Sequence, residues 1–403
     1  MKKKFFILCI YLMNIGLLES QNNSSSQYII DIDNATNLGR IPISHFFKSL
    51  KIIPLETTED CLIGRIDEMQ TCGDRLFICD NNIANAIFVY NREGKFLKKI
   101  ANRGGGPEEY NQIESFCIDS LNNSILLLDN SKHKIIEYNF ITGEYIQSIS
   151  LKGDITPCHI FKINNTLYGD LYYYNTNIPA NNCYLLQKID LKTGNIIEKY
   201  FPVYQYNRGW TNRNFIESYA FYPIYSNHCL FVQSFMDTVM LINPEGVSPY
   251  FTIKSKNFVT NNIINNFIES KSPQENIPFY MLENKSIYKI SEIIESKSQI
   301  WFSYMQGFGL TKAYYNALEN KTYTYTQFND LLLDKDRGIT YIQPNYLIAE
   351  KEGFFYQVTS DNIPVIKHFA QQGFLNPKIG NIEYLKNIDD EDSNPILFYY
   401  EFK

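Results

Sequence analysis

The sequence is poor in tryptophan, with 2 in 403 residues, and in histidine, with 5. It has no Gly-x-x-x-x-Gly-Lys-Ser/Thr loop and no Gly-x-Gly-x-x-Gly loop opening a helix, which removes the usual backbone cradles for nucleotide phosphates. It has no Gly-x-Ser-x-Gly elbow, so the sequence offers no local sign of a serine hydrolase. Cys-x-x-Cys is also missing. The histidines His45, His133, His159, His228 and His368 are scattered, and none has a partner at helical or zinc spacing. Beyond the N-terminus no Lys/Arg-rich patch occurs, and 37 basic against 43 acidic residues give a formal charge of −6. That balance argues against nucleic acid as a partner. No apolar run reaches the roughly 20 residues of a membrane-spanning helix.

What is present is apolar and aromatic. The chain is 44% hydrophobic, with 31 tyrosines and 28 phenylalanines, enough for a sizeable packed core. Aromatic and β-branched residues favour pleated surfaces. The N-terminus is a separate object: Lys2, Lys3 and Lys4 precede the apolar run "FFILCIYLMNIGLL", Phe5 to Leu18. A basic start before a short apolar run reads as an export signal. We expect residues 1–20 to be that signal, with Ser20 the last residue removed. Residues 21–48 are then a spacer and N-terminal extension, and 49–403 the folded unit, placed in the periplasm, the cell envelope or outside the cell. Cys9 lies within the apolar run and makes no lipidation site, which argues against membrane anchoring. The remaining cysteines, 8 − 1 = 7, have no framework spacing and are expected to be mostly free thiols.

The chain repeats itself. "RLFICDNNIANAIFVYNREGKFLKKI" (75–100) aligns with "SILLLDNSKHKIIEYNFITGEYIQSI" (124–149), matching Asp80 to Asp129, Tyr90 to Tyr138, Gly94 to Gly143 and Ile100 to Ile149. Fainter copies follow at 184–201, 238–253, 299–328 and, degraded, 345–369. Each copy reads as strand, turn, strand, Gly turn, strand. Repeats of 40–50 residues made of short strands are the mark of a β-propeller. The expected fold is all-β: a six-bladed propeller of four-stranded antiparallel blades, with both chain ends in one blade. The one clear helix signal, "NNIINNFIESK" (261–271), falls between repeats as an insertion. The recurring Asp80 and Asp129 are expected to cap turns.

"RGGGPEEY" (103–110) lies between the last strand of one copy and the first strand of the next, so it is a blade-to-blade crossover. Its glycines permit a sharp path, Pro107 stiffens it and lacks a donor, Tyr110 packs between blades and Glu109 bonds backbone donors. "SLKIIPLETTEDCLIG", "GKFLKKIANRGGGPEEY" and the terminal "NPILFYYEF" resemble an exported bacterial family of six-bladed, NHL-like β-propellers. The matching residues are Leu55, Glu56, Thr57, Leu62, Ile63, Gly64, Gly94, Lys95, Phe96, Gly104, Gly106, Pro107, Glu109 and Tyr110. The resemblance implies the fold and export. It implies no activity, because that family's function is largely uncharacterised. Many of its members look like lipoproteins, whereas this chain lacks the lipobox cysteine.

The function expected is a non-enzymatic binding or interaction module taking a glycan, a peptide or an envelope protein, working as a monomer without a cofactor. The alternative is a metal-dependent propeller enzyme of the lactonase or lyase type, whose ligands would converge on the ring axis. The acidic run Asp389–Asp392 lacks a calcium-loop pattern and reads as a solvated loop. The best lead for binding is the irregular stretch 203–222, with Tyr206, Arg208, Trp210 and Arg213, joined by Arg103 and Glu109 of the crossover. Tryptophan flanked by arginines is a favoured composition for an interface centre. The other reading, in which these aromatics line sheet faces, stands beside it.

Overall fold

In the first repeat the two central strands, Arg75–Asp80 and Ala86–Asn91, are buried almost end to end. Such strands have no solvent face, because each blade is sandwiched between two others. The computed structural model describes residues 27–403, apart from 154, 173–178, 209, 211–214, 216–218, 226, 272, 274–275, 297, 335, 337–344 and 390–392. The expected signal, the start of the adjoining spacer up to Ser26, Arg213 and three of the four acidic residues in the 389–392 run lie outside the described residues.

Six antiparallel blades form the ring. Blades 1 to 3 are four-stranded sheets over 68–100, 115–150 and 160–202, and blades 4 and 5 span 221–254 and 287–325. Blade 6 takes three strands from 345–402 and its outermost strand, Phe47–Pro54, from the N-terminal side. The chain ends therefore meet in one sheet, Ile396–Phe402 running antiparallel to Phe47–Pro54. A hydrogen-bond knot locks this seam. Asn394 Oδ1 accepts from Ile63 N, and its Nδ2 donates to the carbonyls of Glu56 and Cys61. The "LET…LIG" and Asn-Pro motifs, so far apart in sequence, are two halves of one contact.

The other repeated residues have similar explanations. Asp80, at the end of a second strand, accepts from Ile83 N in its own turn and from Gly64 N and Arg65 N of the incoming chain. Asp129 does the same with Lys132 N and Asn111 N. Gly94 and Gly194 hold φ of 82° and 71°, which favours glycine. Their carbonyls accept from Glu56 N and Lys152 N of the preceding blade, and a side chain at either would meet that blade's backbone. The "RGGGPEEY" crossover is as read: Glu109 accepts from Gly106 N, and fully buried Tyr110 donates to Asn85 O. The seven cysteines in the described residues are thiols and form no disulfide.

Two stretches differ from expectation. From Tyr28 the supposed spacer is a strap along the outer rim. Tyr28–Asp31 pairs in parallel with Phe251–Lys254 of blade 4, and Thr36–Asn37 with Tyr323–Thr324 of blade 5. Tyr28 packs against Tyr250 and Tyr315, and Ile30 is fully buried, so the strap caps two sheet edges. The tail of the sixth repeat, "IPVIKHF", is the helix Ile363–Gln371 rather than a strand. Ile363, Ile366, Phe369 and Ala370 are its buried residues, at helical spacing, with Pro364 in the first turn, where its missing donor costs nothing. The helix at Asn261–Glu269 forms where its periodicity placed it. Among the described residues no helix is long and apolar enough to cross a membrane.

Candidate ligand site at the ring axis

Strand directions alternate within a blade, so first-to-second and third-to-fourth hairpins gather at one end of the ring. Second-to-third turns and crossovers gather at the other. The first-to-second hairpins are tight, with Gly73, Asn123, Asn164 and Asn227 at positive φ near 50–60°. Asparagine and glycine tolerate that conformation. Short turns leave the axis uncovered, and a cavity of about 400 Å³ opens there, lined by the inner-strand ends of blades 1, 2, 3, 4 and 6. The inner strand of blade 4 lies against that of blade 6 as well as that of blade 5, and blade 5 contributes nothing to the lining.

The lining carries two charge pairs. Lys162 Nζ lies 2.8 Å from Asp119, with side chains 10% and 4% exposed. Asp119 also accepts from Leu121 N, Asn122 N and Asn122 Nδ2. Burial opposes its ionisation, but the bonds from Lys162 and Asn122 outweigh that and hold its pKa below the ordinary value. Arg92 clasps Glu350 through both terminal nitrogens at 2.7 and 2.9 Å, and bonds Gly73 O. Thr71 Oγ1 also donates to Glu350. This clasp bridges blades 1 and 6 across the seam. Between the pairs lie Phe161, Ile118, Ile224 and Ile348, an apolar surface.

Side chains also cross-link the inner strands. Gln70 Nε2 donates to Phe116 O, and Ile118 N donates back to Gln70 Oε1. Two residues along the same strand, Glu68 accepts from Ser115 Oγ and Phe116 N, while Ile160 N of blade 3 donates to Ser115 Oγ. Toward the crossover end, His159 Nδ1 sits 2.9 Å from the fully buried Asp170, with its ring edge-on to Tyr219 and Tyr172. Asp170 occupies the position of Asp80 and Asp129 in the third blade and bonds His159 N in the same way. Burial lifts the Glu68 pKa to about 7, against the opposing pull of His159. Asp170, with Glu68 adding, lifts His159 to about 9 despite the cost of burial.

Both shifts predict a stability that falls with rising pH. The Glu68 contribution is fully present below its ordinary 4.5 and is lost as pH rises through about 7. The His159 contribution is present below 6.5 and lost as pH rises through about 9. The melting temperature should fall by several degrees between pH 5 and 9, for a combined loss on the order of 5 kcal/mol. Glu68→Gln should flatten the lower half of that profile. A profile that rises over this range would contradict the assignment.

The described residues among those singled out from the sequence lie toward the crossover end, away from the cavity. Arg103 is exposed, and Glu109 is engaged within its own loop. Arg208 stacks over Tyr204, 3.9 Å from the ring centre, and Tyr206 is half-buried, its hydroxyl pushed up to about 12 by burial. Trp210 is 3% exposed, which removes it from the surface where its composition had suggested an interface. It packs on Phe215 and Phe235 in a cluster with residues of the helices Asn261–Glu269 and Asn276–Glu283. The crossovers carrying Arg103 and Trp210 are separated by a third, 151–159. Among the described residues no group of three or more His, Cys, Asp or Glu is placed to hold a metal ion.

The family described as "Domain of unknown function (DUF4934)" matches residues 27–401. The chain belongs to this family. A DUF4934 match over that span takes in the strap, all six blades and the closing strand. A Bacteroides fragilis protein whose name reads "Putative exported protein" has a similar structure, with a TM-score of 0.68 at 18% identity over 93% of this chain and 99% of that one. That likeness shows the propeller fold. A member of the DUF4221 family from Bacteroides vulgatus aligns over 89% of this chain and 97% of its own at 13% identity, with a TM-score of 0.49. Comparison with proteins of curated function finds no match.

The cavity residues escaped the sequence reading because each is ordinary in its own strand. Lys162 and Asp119 are 43 residues apart by number (162 − 119) and join only when blades 2 and 3 stand side by side. One signal was available. Aligning the first strand of every repeat, rather than the turns, places Cys72, Asp119, Lys162 and Glu350 at the same inner-strand end.

Proposed function

We propose that this DUF4934 protein is an exported binding module whose ligand sits in the axial cavity at the hairpin end of the ring. The observation that carries the reading is the cavity itself: about 400 Å³, framed by five blades, with a nearly buried lysine in its wall. Concave sites of this size with an apolar lining and a few placed polar groups are where small ligands bind. Support for export comes from the basic and apolar N-terminus. Full-length, unprocessed chain recovered from the cytosol would end that part of the reading.

The site is tested by filling its mouth. Ser120 is exposed in a tight turn on the rim, so Ser120→Trp obstructs the cavity without touching the core. Glycan and peptide arrays probed with the wild-type protein should give hits that Ser120→Trp abolishes and Tyr204→Ala, at the crossover end, leaves intact. Hits that survive Ser120→Trp and vanish with Tyr204→Ala would place binding at the 203–210 stretch instead.

A further inference from the structure

We infer that the axial cavity takes an uncharged, polyhydroxylated ligand, a neutral mono- or disaccharide unit. This inference rests on the cavity being the binding site. Its first support is charge already matched. Asp119 has four donors on its two oxygens: Leu121 N, Asn122 N, Asn122 Nδ2 and Lys162 Nζ. Glu350 is held by both arms of Arg92 and by Thr71. A cationic ligand would find no carboxylate with room for it. An anionic ligand would find Lys162 largely neutralised at 2.8 Å and Arg92 occupied by Glu350 and Gly73 O. Either would bring an unbalanced charge into a partly desolvated site, which is costly.

A neutral ligand meets no such penalty. An ammonium has three donors, and the Asp119 pair uses one, so Lys162 has donors to offer a hydroxyl or ring oxygen. Ser120 and Asn164 on the rim both donate and accept. The faces between are apolar, with Phe161 and Ile118 suited to the C–H face of a sugar ring.

The second support separates a sugar from a peptide. One common mode of peptide binding adds a strand to an exposed sheet edge. Here parts of the inner edges of blades 2 and 3 are already taken up by side chains. Gln70 takes up Phe116 O and Ile118 N, Glu68 takes up Phe116 N, and Ser115 Oγ takes up Ile160 N. A bowl enclosed by five blades also favours a compact ring over an extended chain.

The experiment is calorimetric titration of the wild-type and Ser120→Trp proteins with three probe sets: neutral gluco-, galacto-, manno- and xylo-configured di- and trisaccharides, their uronic-acid counterparts, and uncharged capped tripeptides. At least one neutral sugar should bind, lose at least tenfold in affinity in Ser120→Trp, and bind at least tenfold more tightly than its uronate. Its affinity should change less than twofold between 50 and 500 mM salt, since screening acts on charges. Phe161→Ala, which spares both ion pairs, should weaken it about tenfold. If uronates or tripeptides are the ligands lost in Ser120→Trp, the cavity stands as the site and the neutral-sugar inference falls. If no neutral sugar binds, the inference also falls, and binding indifferent to Ser120→Trp removes the cavity itself.

Discussion

Replacing Asn394 by alanine is expected to destabilise the ring by about 2–6 kcal/mol. The side chain is 2% exposed and serves four groups at once: Ile63 N, the carbonyls of Glu56 and Cys61, and the hydroxyl of Tyr90. Alanine would strand the Ile63 N–H, at about 1–3 kcal/mol, and remove one donor from each of two carbonyls that keep the Tyr90 hydroxyl, at about 0.5–1.5 kcal/mol apiece. Asn394→Asp should be nearly as damaging, because it turns a donor shared by two carbonyls into a third acceptor facing them. Urea denaturation of the two variants gives the measurement. A loss under about 1 kcal/mol for alanine would mean that water replaces the amide and that the knot does not hold the seam.

Trp210→Ala is expected to cost about 3–5 kcal/mol, the usual range for emptying a buried aromatic site. The ring lies 5.4 Å from Phe215 and 5.8 Å from Phe235, and its cluster extends to Ile264, Ile277 and Met281 of the inserted helices. Its removal should loosen those helices first, seen as faster amide exchange over 261–283, while ligand binding at the hairpin end is retained. An unchanged melting temperature would return Trp210 to the surface role that its arginine neighbours suggested.

The sequence carried the fold well because a propeller writes itself several times. The spacing of Gly94, Gly143 and Gly194 reports a local requirement, positive φ in a tight turn, which at Gly94 and Gly194 also lies against a neighbouring blade's backbone, and local requirements survive as patterns. The strap from Tyr28 was hidden because its strands of four and two residues pair with edges formed more than 200 residues later. The helix at Ile363–Gln371 was hidden by a short apolar run that suits strand or helix alike. The candidate site was the least legible part. Asp119, Lys162, Arg92 and Glu350 acquire meaning only from their partners across blades, and tight turns with no distinctive composition are what leave the cavity open. Composition drew attention instead to Trp210, whose rarity proved to reflect packing.

The shared sixth blade also sets a schedule. A chain made from its N-terminus produces Phe47–Pro54 first and its partner Ile396–Phe402 last, and Asn394 and Glu56 stand 338 residues apart. The earlier strand must wait, its edge unpaired, until Ile396–Phe402 has been made. Contacts of such long range form slowly, and an open edge in the interval invites pairing with other chains. A chain that stops just short of this seven-residue strand therefore carries five complete blades and an unclosed sixth, not a slightly shortened propeller. Closure of the ring depends on whether Ile396–Phe402 has been made.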